Sequence, residues 1–141
     1  MKRLRFARHV SGSTAIEFGL TAPLFLLVLF GLFEGGIGLW TYFGLHSAAE
    51  SAARLASITA SSSTCTGSGC VCSSGGDCVS SSAVQTYASQ NDMGLNLPSS
   101  VFSLANSSCG WQVSATYTFT PLGGNFGLPD FTFTAQACYP S

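Results

Sequence analysis

Between Leu20 and Leu39 the chain carries one ionisable side chain, Glu34, among residues that are otherwise apolar or small. At helical rise about twenty such residues span roughly 30 Å, the hydrocarbon thickness of a bilayer, so this stretch reads as a membrane span rather than the core helix of a soluble domain. Lys2, Arg3, Arg5 and Arg8 precede it and make up all but one of the 5 basic residues. Basic residues beside a span hold that end in the cytoplasm, which places residues 1–12 inside and everything after about Trp40 outside. Trp40 and Tyr42 suit the aromatic belt at the outer edge.

The remainder leaves room for little else. With 141 residues and 8% charged side chains, the chain accommodates one long helix and one small exported head. The net charge is −1 and the basic residues are concentrated in the leader, so no basic surface is left for nucleic acid. Cys65, Cys70, Cys72, Cys78, Cys109 and Cys138 all follow the span and none precedes it. That distribution fits an oxidised head whose limited core is supplemented by three disulfides, each contributing ~2–4 kcal/mol. The C-x4-C-x-C-x5-C spacing matches no zinc ribbon or Cys/His finger, and no histidine follows it, so no metal is expected. Six cysteines leave about 15 connectivities open.

The class that emerges is α+β, divided into a basic leader (1–12), a long helix (13–60) with its span at about 20–40, and a disulfide-rich head (61–141). Beyond the span, Leu45, Ala48, Ala49, Ala52, Leu55, Ala56 and Thr59 recur at helical steps, forming an alanine-rich face that another element can approach closely. Glu50 stands four residues before Arg54, the favourable order for a helical ion pair. Within the span, Pro23 lacks an N–H and predicts a bend. Gly31, Gly35, Gly36 and Gly38 lower helix propensity by about 1 kcal/mol each and predict local unwinding. Gly31 and Gly35 also form a G-x3-G pair suited to close helix packing, although glycine is frequent in membrane helices generally.

Ser61 to Ser82 reads as a Ser/Gly/Cys-rich loop, and Ala83 to Met93 as a short helix stopped by Gly94. From Trp111 to Thr120 apolar and polar residues alternate, and Phe131, Phe133, Ala135 and Ala137 repeat the pattern after a turn-rich Pro121–Pro129 connection. These runs predict an antiparallel hairpin in which odd residues oppose odd residues, for example Val113 opposite Ala135. In that register Cys109 and Cys138 point to opposite faces, and a direct bond between them needs a bulge or a broken register. Val101 to Leu104 adds a possible third strand.

No catalytic arrangement is legible in the head. The two histidines are His9 and His46, both outside it, and Asp77, Asp92 and Asp130 read as turn residues. No phosphate-binding loop or other cofactor motif occurs. Asn106-Ser107-Ser108 matches the short glycosylation acceptor pattern.

The junction before the span carries the remaining signal. Gly12-Ser13-Thr14-Ala15-Ile16-Glu17-Phe18 resembles the cleavage site of type IV prepilins. Together with the basic leader, the run Ala22-Pro23 to Gly31, Glu34, Trp40 and an alanine-rich helix bearing Arg54, residues 8–60 resemble the TadE-like minor pseudopilins of the tight-adherence, Flp-type pilus system. The resemblance implies a structural subunit, not an enzyme, inserted once in a bacterial inner membrane with its head periplasmic or extracellular. It implies cleavage between Gly12 and Ser13 by a prepilin peptidase, and partners among other pseudopilins, inner-membrane Tad assembly proteins and membrane lipid.

Those residue types suit that chemistry. Gly12 has no side chain to keep a membrane protease from the backbone. Glu17 falls just inside the apolar boundary, where a charge requires a partner at a cost reaching ~3 kcal/mol near the centre of a span. The family mechanism supplies one in the new N-terminal amine of a neighbouring subunit. Two such charges ~4 Å apart attract by about 4 kcal/mol at an effective dielectric of 20. Thr14 and Glu17 also fit a capping box, and Glu34 fits either a pair within a bundle or a place near the outer interface. Two other readings stay open: an uncleaved, signal-anchored protein whose head binds a surface ligand, and an exported enzyme released by signal peptidase near His46-Ser47-Ala48.

Overall fold

The computed structural model describes residues 12–60, 65–121 and 129–140. The basic leader before Gly12, the start of the cysteine loop at 61–64, the 122–128 part of the hairpin connection and Ser141 lie outside the described residues. The elements are α1 (Gly12–Ala60), β1 (Cys70–Cys72), β2 (Cys78–Ser80), α2 (Ser81–Gln90), a single 3-10 turn (Ser99–Val101), β3 (Phe102–Ser107), β4 (Gly110–Phe119) and β5 (Phe131–Tyr139). The class is therefore α+β, with a long apolar helix leading into a small head of antiparallel strands. The chain forms two compact units, one ending at Gly36 and one spanning Ile37–Ser141.

α1 is helical throughout, including Pro23 and the glycine-rich stretch from Gly31 to Gly38. The local unwinding expected at those glycines does not occur. Propensity is a weak term beside cooperativity: each residue added to an existing helix contributes a hydrogen bond, so intact turns on both sides carry a weak stretch. The helix also contains Thr14 instead of starting there, which takes Thr14 out of the N-cap position that a capping box with Glu17 requires.

From Thr41 onward α1 becomes the spine of the second unit. Thr41, Leu45, Ala48, Ala49, Ala52, Ala53, Ala56 and Ala60 are buried at three- and four-residue steps. They join Val79, Val84, Ala88, Leu97, Phe102, Leu104, Trp111, Val113, Ala115 and Ala135 in one core. The buried stripe is close to the one read from sequence, with Ala53 and Ala60 inside and Leu55 and Thr59 only half-buried. Glu50 and Arg54 face out, and among the described residues they form no ion pair with each other.

The three-stranded sheet has the order β3-β4-β5, antiparallel throughout. Phe102, Leu104, Trp111, Val113, Ala115 and Ala135 turn inward, while Ser103, Ala105, Thr116, Thr134 and Gln136 turn out. The predicted parity holds and the register is two residues from the one expected: Val113 opposes Ala137, and Ala115 opposes Ala135. Opposing Val113 to Ala135 would set Phe119 against Pro129, which has no N–H for the ladder. In the observed pairing the ladder ends at Phe119 and Phe131, leaving both Pro121 and Pro129 outside it.

Cys109 and Cys138 are bonded directly, contrary to the parity argument. That argument treats Cys109 as a strand residue, whereas it lies in the tight Ser108-Cys109 turn between Ser107 and Gly110. Gly110 takes the positive φ of 112° that closes this turn, and a turn residue is not bound to strand alternation. The other bridges are Cys65–Cys70 and Cys72–Cys78. The segment read as loop from Ser61 to Ser82 instead contains the β1–β2 hairpin, with Cys72 opposite Cys78. Three-residue strands are too short to show alternation.

α2 starts two residues earlier and stops three residues earlier than predicted, at Ser81 and Gln90. The Ser80 hydroxyl accepts from the Ala83 N–H at the start. Past the end, Asp92 is buried and its carboxylate accepts from the N–H groups of Gly94, Leu95 and Leu97 at 3.1, 3.2 and 2.6 Å. Met93 and Gly94 adopt positive φ of 58° and 83°, which ends the helix there. The reading of Asp92 as a turn residue is therefore realised.

The loops closed by the bridges differ in length, with sequence separations of 5, 6 and 29. On the chain-entropy account the longest is worth about 3.6 kcal/mol and each short one about 2 kcal/mol. Removing Cys109 and Cys138 together as serines is expected to lower unfolding stability by about 3–4 kcal/mol, and removing Cys72 and Cys78 by about 2 kcal/mol. Denaturant titration of the full chain in detergent, followed by near-UV circular dichroism, gives the order.

Candidate functional site

The functionally informative surface is α1 itself, and its two parts present different chemistry. From Thr14 to Gly36 nearly every side chain is exposed, among them Ile16, Phe18, Leu20, Leu24, Phe25 and Leu27. Phe18 is 73% exposed. An 18-residue window in this helix reaches a mean hydropathy of 2.1 with none of it buried. α1 is thus long and apolar enough to serve as a single membrane anchor.

Along this surface, Gly12 and Ser13 stand in the first turn of α1, the part of a helix whose backbone N–H groups have no intrahelical acceptor. Glu17 and Phe18 follow one turn later, both exposed, and the Thr21 hydroxyl donates to the Glu17 carbonyl at 3.0 Å. Pro23 is exposed within the helix, and Glu34 is partly covered. A Cβ added at Gly31 or Gly35 would meet no atom within 4 Å. The G-x3-G pair is therefore open among the described residues.

The second part of α1 contains positions that sequence reasoning passed over. A Cβ at Gly44 would lie 2.5 Å from Leu95 Cδ1 and 3.0 Å from the Asp92 carbonyl oxygen. The Asp92 turn therefore sits directly against the helix backbone, and only glycine permits that approach. The sequence signal was the Asn91-Asp92-Met93-Gly94 turn cluster, but nothing local links it to a glycine nearly fifty residues earlier. Around Gly38 and Tyr42, Phe133 supplies the neighbouring ring: Phe133 Cζ lies 3.8 Å from a Cβ at Gly38, and the Tyr42 and Phe133 centroids are 6.1 Å apart.

Two further features bear on chemistry. Ser47, Glu50, Arg54, Ile58, Tyr87 and Tyr139 line an open groove of about 430 Å³. Asn106 pairs with Trp111 across the β3–β4 ladder and keeps its Nδ2 buried, so its side chain is not presented for glycan attachment. Among the described residues no group of three or more His, Cys, Asp or Glu side chains is placed to hold a metal.

Fold and surface together define a class: a membrane-competent helix whose exposed first part is mostly apolar surface and whose second part is the spine of a disulfide-linked α+β head. The family described as TadE-like protein matches residues 12–54, and over that stretch the chain is similar to it. The match covers α1 up to Arg54 and is consistent with a protein of the Tad pilus system. No curated protein and no solved structure matches the chain.

The contact at Gly44 yields a contrast with the open glycines. Gly44→Ala is expected to destabilise the head by about 1–3 kcal/mol through overpacking against Leu95 and the Asp92 backbone. Gly31→Ala is expected to leave the head's stability unchanged, since it meets open space in a helix that tolerates alanine well. Parallel denaturant titrations of the two variants, read through the near-UV signal of the buried Trp111, test the contrast.

Proposed function

We propose that the protein is a minor pseudopilin of a tight-adherence pilus system, acting as a structural subunit in pilus assembly or initiation, with no catalytic role. The observation that carries this reading is the TadE-like match over residues 12–54, which coincides with an apolar, exposed helix preceded by a basic leader. The chain would sit once in the bacterial inner membrane, N-terminus cytoplasmic and head outside. Its partners would be a prepilin peptidase, other pseudopilins, inner-membrane Tad assembly proteins and lipid.

In this mechanism the peptidase cuts between Gly12 and Ser13, leaving a cationic amine on Ser13. Glu17 then lies four residues along the same helix, at the depth where a neighbouring subunit's amine can meet it. The exposed apolar side chains of α1 would pack against neighbouring helices, with Gly31 and Gly35 permitting the closest approach. Exchange of lipid for protein contact along α1 needs no change in the head, because the head's core uses residues from Thr41 onward.

Mass spectrometry of the protein from its native membrane is expected to give a chain beginning at Ser13, and Gly12→Val is expected to accumulate the uncut but inserted precursor. An intact leader on the native protein would favour the uncleaved anchor instead. Glu17→Gln is expected to leave cleavage and head stability unchanged while reducing crosslinks to other pseudopilins at least tenfold, because glutamine keeps the hydrogen bonding and loses the charge. Unchanged crosslinking and piliation in that variant would remove Glu17 from the assembly mechanism.

A further inference from the structure

The sheet is aligned with α1 in a way that bears on where the membrane surface falls. Phe133 of β5 meets α1 at Gly38 and Tyr42, whereas Tyr139 shares a groove with Ser47, Glu50 and Arg54. Six strand residues rise ~20 Å, and the twelve or so helix residues between these contact levels rise ~18 Å, so β5 runs alongside α1 in the same direction. Phe131 precedes Phe133 by two residues on the same face. It therefore lies on the side of Phe133 away from Tyr139, roughly 7 Å along the strand. Phe119, its ladder partner, lies there too.

The Gly38–Tyr42 level that Phe133 meets is the outer end of the stretch read as membrane span, which runs to about Leu39. The side chains found there suit a bilayer boundary. Trp40 is 57% exposed, Phe43 60% and Phe131 49%, and the Phe119 and Phe133 rings stand 6.1 Å apart beside Tyr42. Aromatic rings concentrate at the headgroup level, where an apolar body and a wet edge are both accommodated. The outward face of the same strand ends carries Thr116, Thr118, Thr132 and Thr134, polar without charge. Across residues 37–49, 115–121 and 129–137, Asp130 is the single acidic or basic residue other than His46, and it is exposed at the start of β5.

We infer that the Phe119/Phe131 end of the β4–β5 hairpin is a membrane-contacting surface, seated with Trp40 and Phe43 in the outer headgroup region of a phospholipid bilayer. This rests on the membrane-anchored reading of α1 and extends it to the head. The head is thereby held by two points at the bilayer surface, the helix and the hairpin end, which limits its tilt against the bilayer before assembly. Asp130 takes the headgroup level, where a carboxylate stays hydrated. On extraction of the subunit into a pilus these aromatic side chains leave lipid and become available to neighbouring subunits.

The test is fluorescence quenching in vesicles of phosphatidylethanolamine and phosphatidylglycerol brominated at acyl carbons 6 and 7, using the full chain. Trp111 is fully buried and gives a constant background. Wild type reports Trp40, the double variant W40F/F131W reports the hairpin end, and W40F/I58W reports the far end of α1. Loss of at least half the site-specific emission is expected for wild type and for W40F/F131W, and less than one-tenth for W40F/I58W. Quenching of wild type without W40F/F131W would overturn the inference and leave the membrane anchor standing. Absence of quenching in wild type would overturn both, and equal quenching at Ile58 would show a head lying flat on the membrane and overturn the inference as well. Should F131W fail to form its disulfides, wild-type protein labelled by a phospholipid with a headgroup diazirine decides: adducts on Phe131 or Phe133 are expected, while adducts confined to α1 would overturn it.

Discussion

The head depends on how closely α1 can approach its neighbours. A stripe of alanines with Gly44 at one end brings the helix backbone within reach of large groups supplied by the rest of the unit, chiefly Trp111, Phe102 and the Leu95 turn. Small residues on the helix and large ones opposite interdigitate at interior packing density, and a helix with bulky residues at 48, 49, 52, 53 and 56 would hold the sheet away. Because the helix contributes so much of the core, residues 37–60 are as much a part of the head as the strands are. A domain of about 80 residues would otherwise bury little.

The other contacts secure pieces that the core alone does not hold. The buried Asp92 carboxylate takes three backbone N–H groups from the turn that presses on Gly44, replacing the water those donors would otherwise need. Gln85 Nε2 donates to the Phe102 carbonyl at 2.9 Å and ties α2 to the edge of the sheet. Two bridges close short loops around the β1–β2 hairpin, and the third joins the β3–β4 turn to the end of β5. Polar capture and covalent links thus do at the periphery what apolar burial does at the centre.

This division of labour gives α1 two constraints along one helix. Its first part is apolar and exposed, with Glu17 as the charged exception near its start and Glu34 near its end, while its second part must stay small along one face. The TadE-like match spans both parts and stops at Arg54, so it includes the face that receives the sheet but not the strands and disulfides that cover it. Unlike the α1 surface, the head beyond Arg54 finds its physical explanation in this chain's own packing.

Much was legible from sequence because the signals were periodic and local. The long helix, the alternation of β4 and β5, the parity of their pairing and the confinement of the bonded cysteines to the head follow from side-chain spacing and apolarity, which act residue by residue. The similarity to TadE-like proteins over residues 12–54 was legible for the same reason, since Gly12, Glu17 and Phe18 stand at short fixed intervals before the apolar run. Tertiary structure decided what spacing cannot encode. Pro129 fits the observed hairpin register and not the expected one, a turn freed Cys109 from strand alternation, and β1–β2 formed in a stretch too short to show a period. Gly44 gained its importance from a loop nearly fifty residues away. Each of these turns on which distant atoms compete for the same space, and a sequence states distance only along the chain.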